Sequence, residues 1–581
     1  MIAVGVNELH RVQLGVRFEV VDLRQPSSNF DLVAKHFDSV QTIHRCFSIA
    51  RSHGCKACVI ESIRDMGLLE DDARELRTLV GRCAPESRRI SFWSRRPRKF
   101  FGRLVLPRSR HLIGYAIVRK DGIEDEMATW YVFESVFRKY GHRHNCVSFP
   151  GAYAVTVWRR LCSLQGVMYC QQNKLNKRCA HVALRSLLSR CVEEKDVPYS
   201  RINEIVAESA KAQGKPYSPK GGLTALQIRA VLDAFGVRYR DMDYEKAAEY
   251  AVQGKIGQVP GWEALKPAEQ ERRRQEMLSE ELARVRADMP YSKFLYDGAE
   301  SGIGSLLGFR VHDHEESRHI IPVFGHTFNK DSWVSGSRRF YFGDDAKAAA
   351  YIQSDNWTSS YIGHDDNFGS DFCIPRAYVL PEDVAYVAEL FCKGVVFPGA
   401  EAEALAVKVL SNLEEQFDGE NPWVVRFVDA LDDGNVILRS VSMPSRRYFD
   451  HLSEIRDWNR QKEDRRMIGA LSQTRVPRYV WVVEISLPQL FPANERKLGE
   501  VVIDATSAAW IASFKKGSIT DVVLKSIMWV RLPGAYYHPV KVAHAPDGDR
   551  LRFERQTSCL TSHVPVVSLS PTQEGSLDKV E

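Results

Sequence analysis

The chain has 581 residues, of which 44% are hydrophobic and 27% charged, with a formal net charge of +6. That length exceeds one compact core and predicts three or four domains, while the composition excludes a collagenous, wholly disordered or membrane-embedded protein. No run approaches the roughly 20 apolar residues of a spanning helix, the start MIAVGVNELHRVQLGVRFEV lacks a signal-peptide layout, and twelve cysteines over this length do not suggest a disulfide framework. A cytoplasmic protein with no membrane partner is expected.

Residues 1–150 alternate apolar runs (Val16 to Leu23, Cys58 to Ile63, His111 to Val118, Trp130 to Val136) with a helical pattern at Leu68 to Val80. This predicts an N-terminal accessory domain of α/β or α+β type. Within it, Ser87 to His111 interleaves Arg and Lys with Phe92, Trp93, Phe100 and Phe101, the pairing that neutralises phosphates and stacks bases. Nucleic acid is therefore one partner to consider, and a solvated basic loop beside a strand is the plainer reading. Cys55-x-x-Cys58, with Cys46, His53 and Cys83 nearby, has zinc-knuckle spacing. It runs straight into Val59-Ile60 with no second tight pair, which favours strand packing.

A β-rich stretch from Ala154 to Met168 leads into a helical pattern. Ala180, Ala183, Leu184, Leu187, Leu188 and Cys191 fall at i, i+3, i+4, i+7 spacing, with Arg185, Ser186, Ser189 and Arg190 opposite. Cys179 thus opens a helix. Further helices are predicted near Ser200 to Gln213 and after the capping box Thr224-x-x-Gln227, the latter closing at Gly236. The charged segment Trp262 to Met289 reads as part of a helical insertion spanning about 240–290. Leu306 to Val311 and His319 to Phe324 then read as two antiparallel strands joined by a polar loop.

A thiol at a helix start meets the positive end of the macrodipole, and Lys174, Lys177 and Arg178 add charge nearby; both favour the thiolate. Its oxyanion partner could be the Cys179 backbone N–H with a side-chain amide just upstream, Gln172 or Gln171. A histidine at the start of a strand can hold its ring over a facing helix terminus, with a residue after the next turn fixing its orientation. His319 fits that base role better than His326 at the far end of the strand. Asp331 is the first choice for the orienting group and Asn329 the second.

Gln, a short gap and Cys179-Ala-x-x-Ala-Leu on a helix, a Thr-Ala-Leu-Gln helix ending in Phe-Gly, a Gly-rich strand entry, a hairpin and His-Ile-Ile-Pro-Val-Phe-Gly follow in that order. Over about residues 171–331 this resembles papain-like cysteine peptidases of the bacteriocin-leader-processing (double-glycine peptidase) type. The resemblance implies an α+β fold with a papain-like core, a Cys-bearing helix packed on a His-bearing antiparallel sheet. It also implies a Cys179–His319–Asp331 (or Asn329) triad, an oxyanion glutamine at 172 or 171, a protein or peptide substrate, and neither cofactor nor metal.

Two clusters compete for metal chemistry. Ile362 to Cys373 gathers His364, Asp365, Asp366, Asn367 and Asp371, which read either as hard metal ligands or as an Asx-rich turn lining the cleft. His312, Asp313 and His314 read as a solvated loop. Beyond Pro381 come a helix (Ala400 to Gln416) and strand-like runs at Trp423 to Val428, Tyr479 to Ile485, Val501 to Ile503 and Ile527 to Leu532. The expected plan is an accessory domain at 1–150, a catalytic domain at 151–378, a β-rich α+β accessory domain at 379–565 and a disordered tail at 566–581. The function expected is a cysteine peptidase or isopeptidase working through an acyl-enzyme. An acyl- or transglutaminase-like transferase on the same triad, or a non-catalytic nucleic-acid-associated protein using residues 87–111, are the alternatives.

Overall fold

The computed structural model describes residues 18–24, 29–65, 67–81, 83–100, 103–123, 129–138, 145–147, 151–172, 179–192, 196–214, 222–311, 318–328, 351–392, 394–417, 419–455, 476–491, 496–507, 526–540, 552–558 and 564–567. They form a mixed α+β architecture around three seven-stranded sheets.

The first sheet is antiparallel throughout, in the order Phe18–Asp22, Ala57–Ile63, Cys83–Trp93, Leu112–Ile123, Trp130–Arg138, Arg160–Tyr169, Gly151–Val157. Period-two alternation gives it two apolar faces. Cys58, Ile60, Ile90 and Phe92 pack under the helices Asn29–Phe37 and Gln41–Ser52, while Val59, Trp93, Tyr115 and Ile117 join Leu69 and Val155 on the other side. The last two strands carry this sheet past the boundary expected at residue 150, because Arg160–Tyr169 continues the ladder from Trp130–Arg138. Cys55, Cys46 and Cys58 are buried here as packing groups. Cys55 Sγ donates to the Ala57 and Trp93 carbonyls.

The second sheet runs Arg238–Asp243, Val384–Phe391, Gly302–Arg310, Arg318–Phe328, Thr358–Asp365, Gly369–Pro375, with Asn145–Val147 also pairing with Arg318–Phe328. Val384–Phe391 lies between two strands of this sheet, so the expected boundary at 378 moves beyond it. Helix Cys179–Cys191 packs on the sheet through Ala183, Leu184 and Leu187, against Leu306 and Ile320. Gly304, at φ +120°, permits the close approach, since a Cβ there would meet the Val323 carbonyl and Leu187. The same helix offers Val182 to the core beneath the first sheet. It is therefore enclosed on both sides, and Arg185, Ser186 and Ser189, expected on a polar face, are all buried. Arg185 is accommodated by Glu134 at 2.8 Å, Asp196 at 3.2 Å and the rings of Phe133 and Tyr199.

The Thr224 capping box forms with both halves present, on helix Ala225–Ala234. The charged insertion comprises helices Tyr244–Ile256 and Pro267–Asp288; the second buries only Glu281 and Val285. The third sheet begins with Ile352–Gln353 parallel to Ile437–Pro444 and continues antiparallel through Tyr479–Ser486, Gly499–Asp504, Ile527–Leu532, Ala535–Val540 and Arg552–Thr557. The run at Trp423 to Val428, read as a strand, is instead the helix Pro422–Asp432. Asn421 caps it, Pro occupies its first turn, and Val424, Phe427 and Leu431 form one buried stripe, so helical start signals outweigh the local β-propensity of the Val pair. At the chain's end Val567 is buried, with its N–H on Glu484 and its carbonyl on Arg439, so this residue is tied down rather than part of a tail.

The second and third sheets are joined through buried charge. Glu300 meets Arg439 at 3.0 Å, Arg439 meets Glu484 at 2.9 Å, and Lys497 lies 2.7 Å from Glu484 and 2.6 Å from Glu500. His326 belongs to this network, with Nε2 2.8 Å from Glu300.

Candidate functional site

Cys179 is the first described residue of its helix and is only partly buried, and the first described turn carries no acidic residue to oppose an anion there. Apart from the exposed Cys373, the other described thiols are less suited to attack. Burial pushes Cys46 up to about 12 and Cys55, Cys170 and Cys392 up to about 11, where the reactive thiolate is scarce near neutral pH.

His319 stands near the start of Arg318–Phe328, with its ring edge-on to Phe309 across the strand pair at 5.6 Å. Its Nε2 lies 3.1 Å from Asp366 Oδ1 and 3.4 Å from Asp365 Oδ2. Burial alone would lower its pKa. Hydrogen-bonding interaction with Asp365 and with the Cys179 thiol, and the charges of Asp366 and Asp365, outweigh that and raise it to about 10. The imidazole is thus held as a cation between a thiol and two carboxylates. Asp366 is itself raised to about 6, first by burial, and neither of its oxygens makes an aligned hydrogen bond.

The carboxylates come from the end of Thr358–Asp365 and the turn that follows it. Asp365 Oδ1 accepts from the backbone N–H groups of Asn367 at 2.8 Å and Phe368 at 3.2 Å, an Asx turn that fixes the carboxylate. The far arm of the hairpin is gripped by the first sheet's helix Gln41–Ser52. Arg45 donates through Nε to the Ser370 carbonyl at 3.1 Å and through Nη2 to the Asp371 carbonyl at 2.7 Å. Gly369, at φ +112°, lies so close that a Cβ would stand 2.8 Å from Arg45 Cγ. Tyr169 adds a hydrogen bond to the Asp366 carbonyl at 3.4 Å.

The same helix reaches the other side of the site. Thr42 Oγ1 donates to Gln171 Oε1 at 2.8 Å, and that oxygen also accepts the Val132 N–H at 2.9 Å. Gln171 is thereby held through its oxygen. Gln172 keeps a buried Oε1 without a hydrogen-bond partner; an oxyanion needs the amide N–H groups, so these oxygen contacts leave both glutamines as donors for it. Residues 173–178, with Lys174, Lys177 and Arg178, lie outside the described residues.

Arg45 is a positioning residue by this geometry. Arg45→Ala should destabilise the protein by about 1–3 kcal/mol through two unsatisfied carbonyls, and should slow alkylation of Cys179 by iodoacetamide at neutral pH. Paired thermal melts and labelling rates check it; labelling unchanged in a folded variant would show that the grip does not reach the thiol.

No family model, curated protein or solved structure matches this chain.

The predicted residues are distributed as follows. Cys179 and His319 are together. Asp331 and Asn329 lie outside the described residues, and so do His312, Asp313 and His314. His326, the alternate base, belongs to a different cluster: it is fully buried on Glu300 and beneath the Tyr296 ring. In the turn, His364 is buried and held down to about 3, with Nδ1 accepting the Asp371 N–H at 3.1 Å. The only close His/Cys/Asp/Glu triplet among the described residues is His319, Asp365 and Asp366, whose ligand atoms lie within 4.8 Å of one another. A cation could fit that spacing, and a protonated ring supplies the positive charge in the same place. Asp365 and Asp366 were legible as a cleft-lining Asx turn, but their partnership with His319 depends on strand pairing.

Proposed function

We propose that the chain is a cysteine hydrolase of peptidase or isopeptidase type, built on a papain-like core. The observation that carries this reading is the imidazole of His319 placed between the helix-start thiol of Cys179 and the carboxylates of Asp365 and Asp366. With Nε2 turned to the carboxylates, Nδ1 serves the sulfur.

The Cys179 thiolate attacks a carbonyl carbon and forms a C–S bond, while the carbonyl oxygen takes up negative charge against the Cys179 N–H and the Gln172 amide. The His319 imidazolium gives its proton to the departing amine as the C–N bond breaks. His319, now neutral, takes a proton from water, hydroxide adds to the thioester carbonyl, and collapse releases the acid and the thiolate. Asp365 and Asp366 orient the ring and hold its charge throughout, the part that Asp331 or Asn329 would take in the expected triad.

A peptide carrying an electrophilic warhead tests the reading. Mass spectrometry should find one adduct, on Cys179, absent from Cys179→Ser and unaffected by a chelator. Adducts scattered over several cysteines, or labelling that a chelator abolishes, would count against an acid–base thiol site and, in the second case, for a metal held by His319, Asp365 and Asp366.

A further inference from the structure

A second concentration of chemistry lies at one end of the first sheet and shares no residue with the thiol site. It is organised around the short turn Ser109–His111, which follows directly on Arg108 and leads into Leu112–Ile123. The Ser94 N–H donates to the His111 carbonyl at 2.9 Å, which brings Arg95 beside Arg110. Arg138, at the end of Trp130–Arg138, donates through Nη2 to the Ser109 carbonyl at 3.3 Å. Arg160 donates through Nη1 to the Leu106 carbonyl at 3.1 Å and the Pro107 carbonyl at 2.6 Å. Burial and then the charges of Arg95, Arg110, Arg138 and Arg108 hold down the pKa of His111, as a gathering of unneutralised cations would.

Among the described residues none of these five arginines has a carboxylate within ion-pair distance; the neighbouring Arg96 does, on Asp22 at 3.2 Å. Unpaired guanidinium groups side by side repel, and a surface that keeps them together is suited to an external polyanion. Arg95, Arg108, Arg110 and Arg160 are exposed, and Arg138 is half-buried. Two of the five are braced by backbone carbonyls, so their planar forks are pre-oriented with N–H groups left over.

The kind of polyanion follows from what surrounds them. Phe92 and Trp93, which the sequence offers as base-stacking partners, are fully buried in the two cores of the sheet. Arg89 is likewise buried, on Glu61 at 3.1 Å. Those two rings therefore offer no face for stacking a base or anchoring a protein partner; the side chains of Phe100 and Phe101 lie outside the described residues. Exposed apolar residues near the arginines are single ones, Val105 and Leu161. What remains is charge on a regular frame. Arg95, Arg110 and Arg138 flank the same end of three neighbouring strands. Strands stand about 4.8 Å apart, so these ends span about 10 Å, against one phosphate charge about every 3.4 Å along each strand of a duplex.

We propose that this end of the first sheet is a sequence-independent binding surface for the phosphate backbone of a nucleic-acid duplex. Arg95, Arg108 and Arg110 make the contacts, and Arg138 and Arg160 extend them. The surface is independent of thiol chemistry and would stand if the hydrolase reading fell.

The test is fluorescence anisotropy of the full chain with a short mixed-sequence DNA duplex. With about four phosphates neutralised, affinity should fall on the order of a hundredfold between about 50 and 200 mM salt. The triple variant Arg95→Ala, Arg108→Ala, Arg110→Ala should make the log–log salt slope shallower by about three and weaken binding more than tenfold at low salt. Arg110→Glu alone should weaken it in the same direction, in case the triple variant fails to fold. Cys179→Ala should bind as the wild type does. No binding at low salt, or variants that bind as the wild type, would overturn the proposal. Two other outcomes would also overturn it: single strands preferred over duplex, which means stacking, and polyglutamate competing as well as the duplex, which means a carboxylate-bearing partner.

Discussion

Replacing His319 with alanine should slow alkylation of Cys179 at pH 6.5 by about tenfold to a hundredfold. An isolated thiol with an ordinary pKa near 8.5 is only about 1% ionised two units lower, whereas a thiol beside a fixed imidazolium gains a counter-charge for its anion. Part of that gain is returned, because a more acidic thiol is a weaker nucleophile, which sets the lower end of the range. The His319 ring is held positive to about pH 10, so the wild type should be alkylated faster than His319→Ala for as long as the ring stays charged, with the difference lost as pH rises through that value. A stopped assay with iodoacetamide and peptide mapping of residue 179 reads both curves. Superimposable profiles would remove the ion pair from the account.

The second large effect is expected from the carboxylates. In the double variant Asp365→Asn, Asp366→Asn, His319 keeps the burial that lowers its pKa and loses the carboxylate interactions that raise it. Its titration should fall from about 10 toward the ordinary 6.5, with the Cys179 thiol left as the contact that raises it. An NMR titration of the ring proton reads this directly, and a ring that still titrates near 10 would show that the carboxylates are not its support. Stability gives an independent reading. A group whose folded pKa is raised stabilises fully below its unfolded value, here about 6.5, and that contribution disappears as pH rises through the folded value of about 10. Asp366, at about 6, is ionised throughout that window. Wild-type stability should therefore fall more from pH 7 to 10 than that of the double variant, by urea unfolding at each pH.

Much of the site could be read in one dimension. A helix opening at Cys179 follows from apolar spacing, and a strand opening near His319 follows from an apolar run after a polar loop; both are local. The carboxylates were less accessible. Asp365 reaches His319 because Arg318–Phe328 and Thr358–Asp365 pair antiparallel with a shift between Val323 and Gly325, and no local pattern states that register. Asp331 and Asn329, the orienting groups expected from the sequence, lie outside the described residues. Gln171 and Gln172 are equivalent in the sequence, and the contacts of Thr42 and Val132 fix only the oxygen of the first. The boundaries at 150 and 378 went astray for one reason. The β-rich stretch at Ala154 to Met168 reads as fresh structure and Val384–Phe391 is not among the strand-like runs, and only their ladder partners show that both complete earlier sheets. In the Ser87 to His111 segment Phe92 and Trp93 turn into the cores and Arg89 is buried with them, while Arg95, Arg108 and Arg110 stay outside, a division that no local pattern states.

The grip of helix Gln41–Ser52 on the hairpin has a consequence for how the protein is made. A chain leaving the ribosome displays Cys179 and His319 well before Asp371, and over that interval the imidazole lacks the carboxylates that keep it charged. Synthesis must pass residue 371, and the turn must dock on a sheet already folded from the amino-terminal end, before the sulfur acquires its counter-ion. The nascent polypeptide thus carries an unarmed thiol through the stage at which indiscriminate reactivity would be most harmful to it.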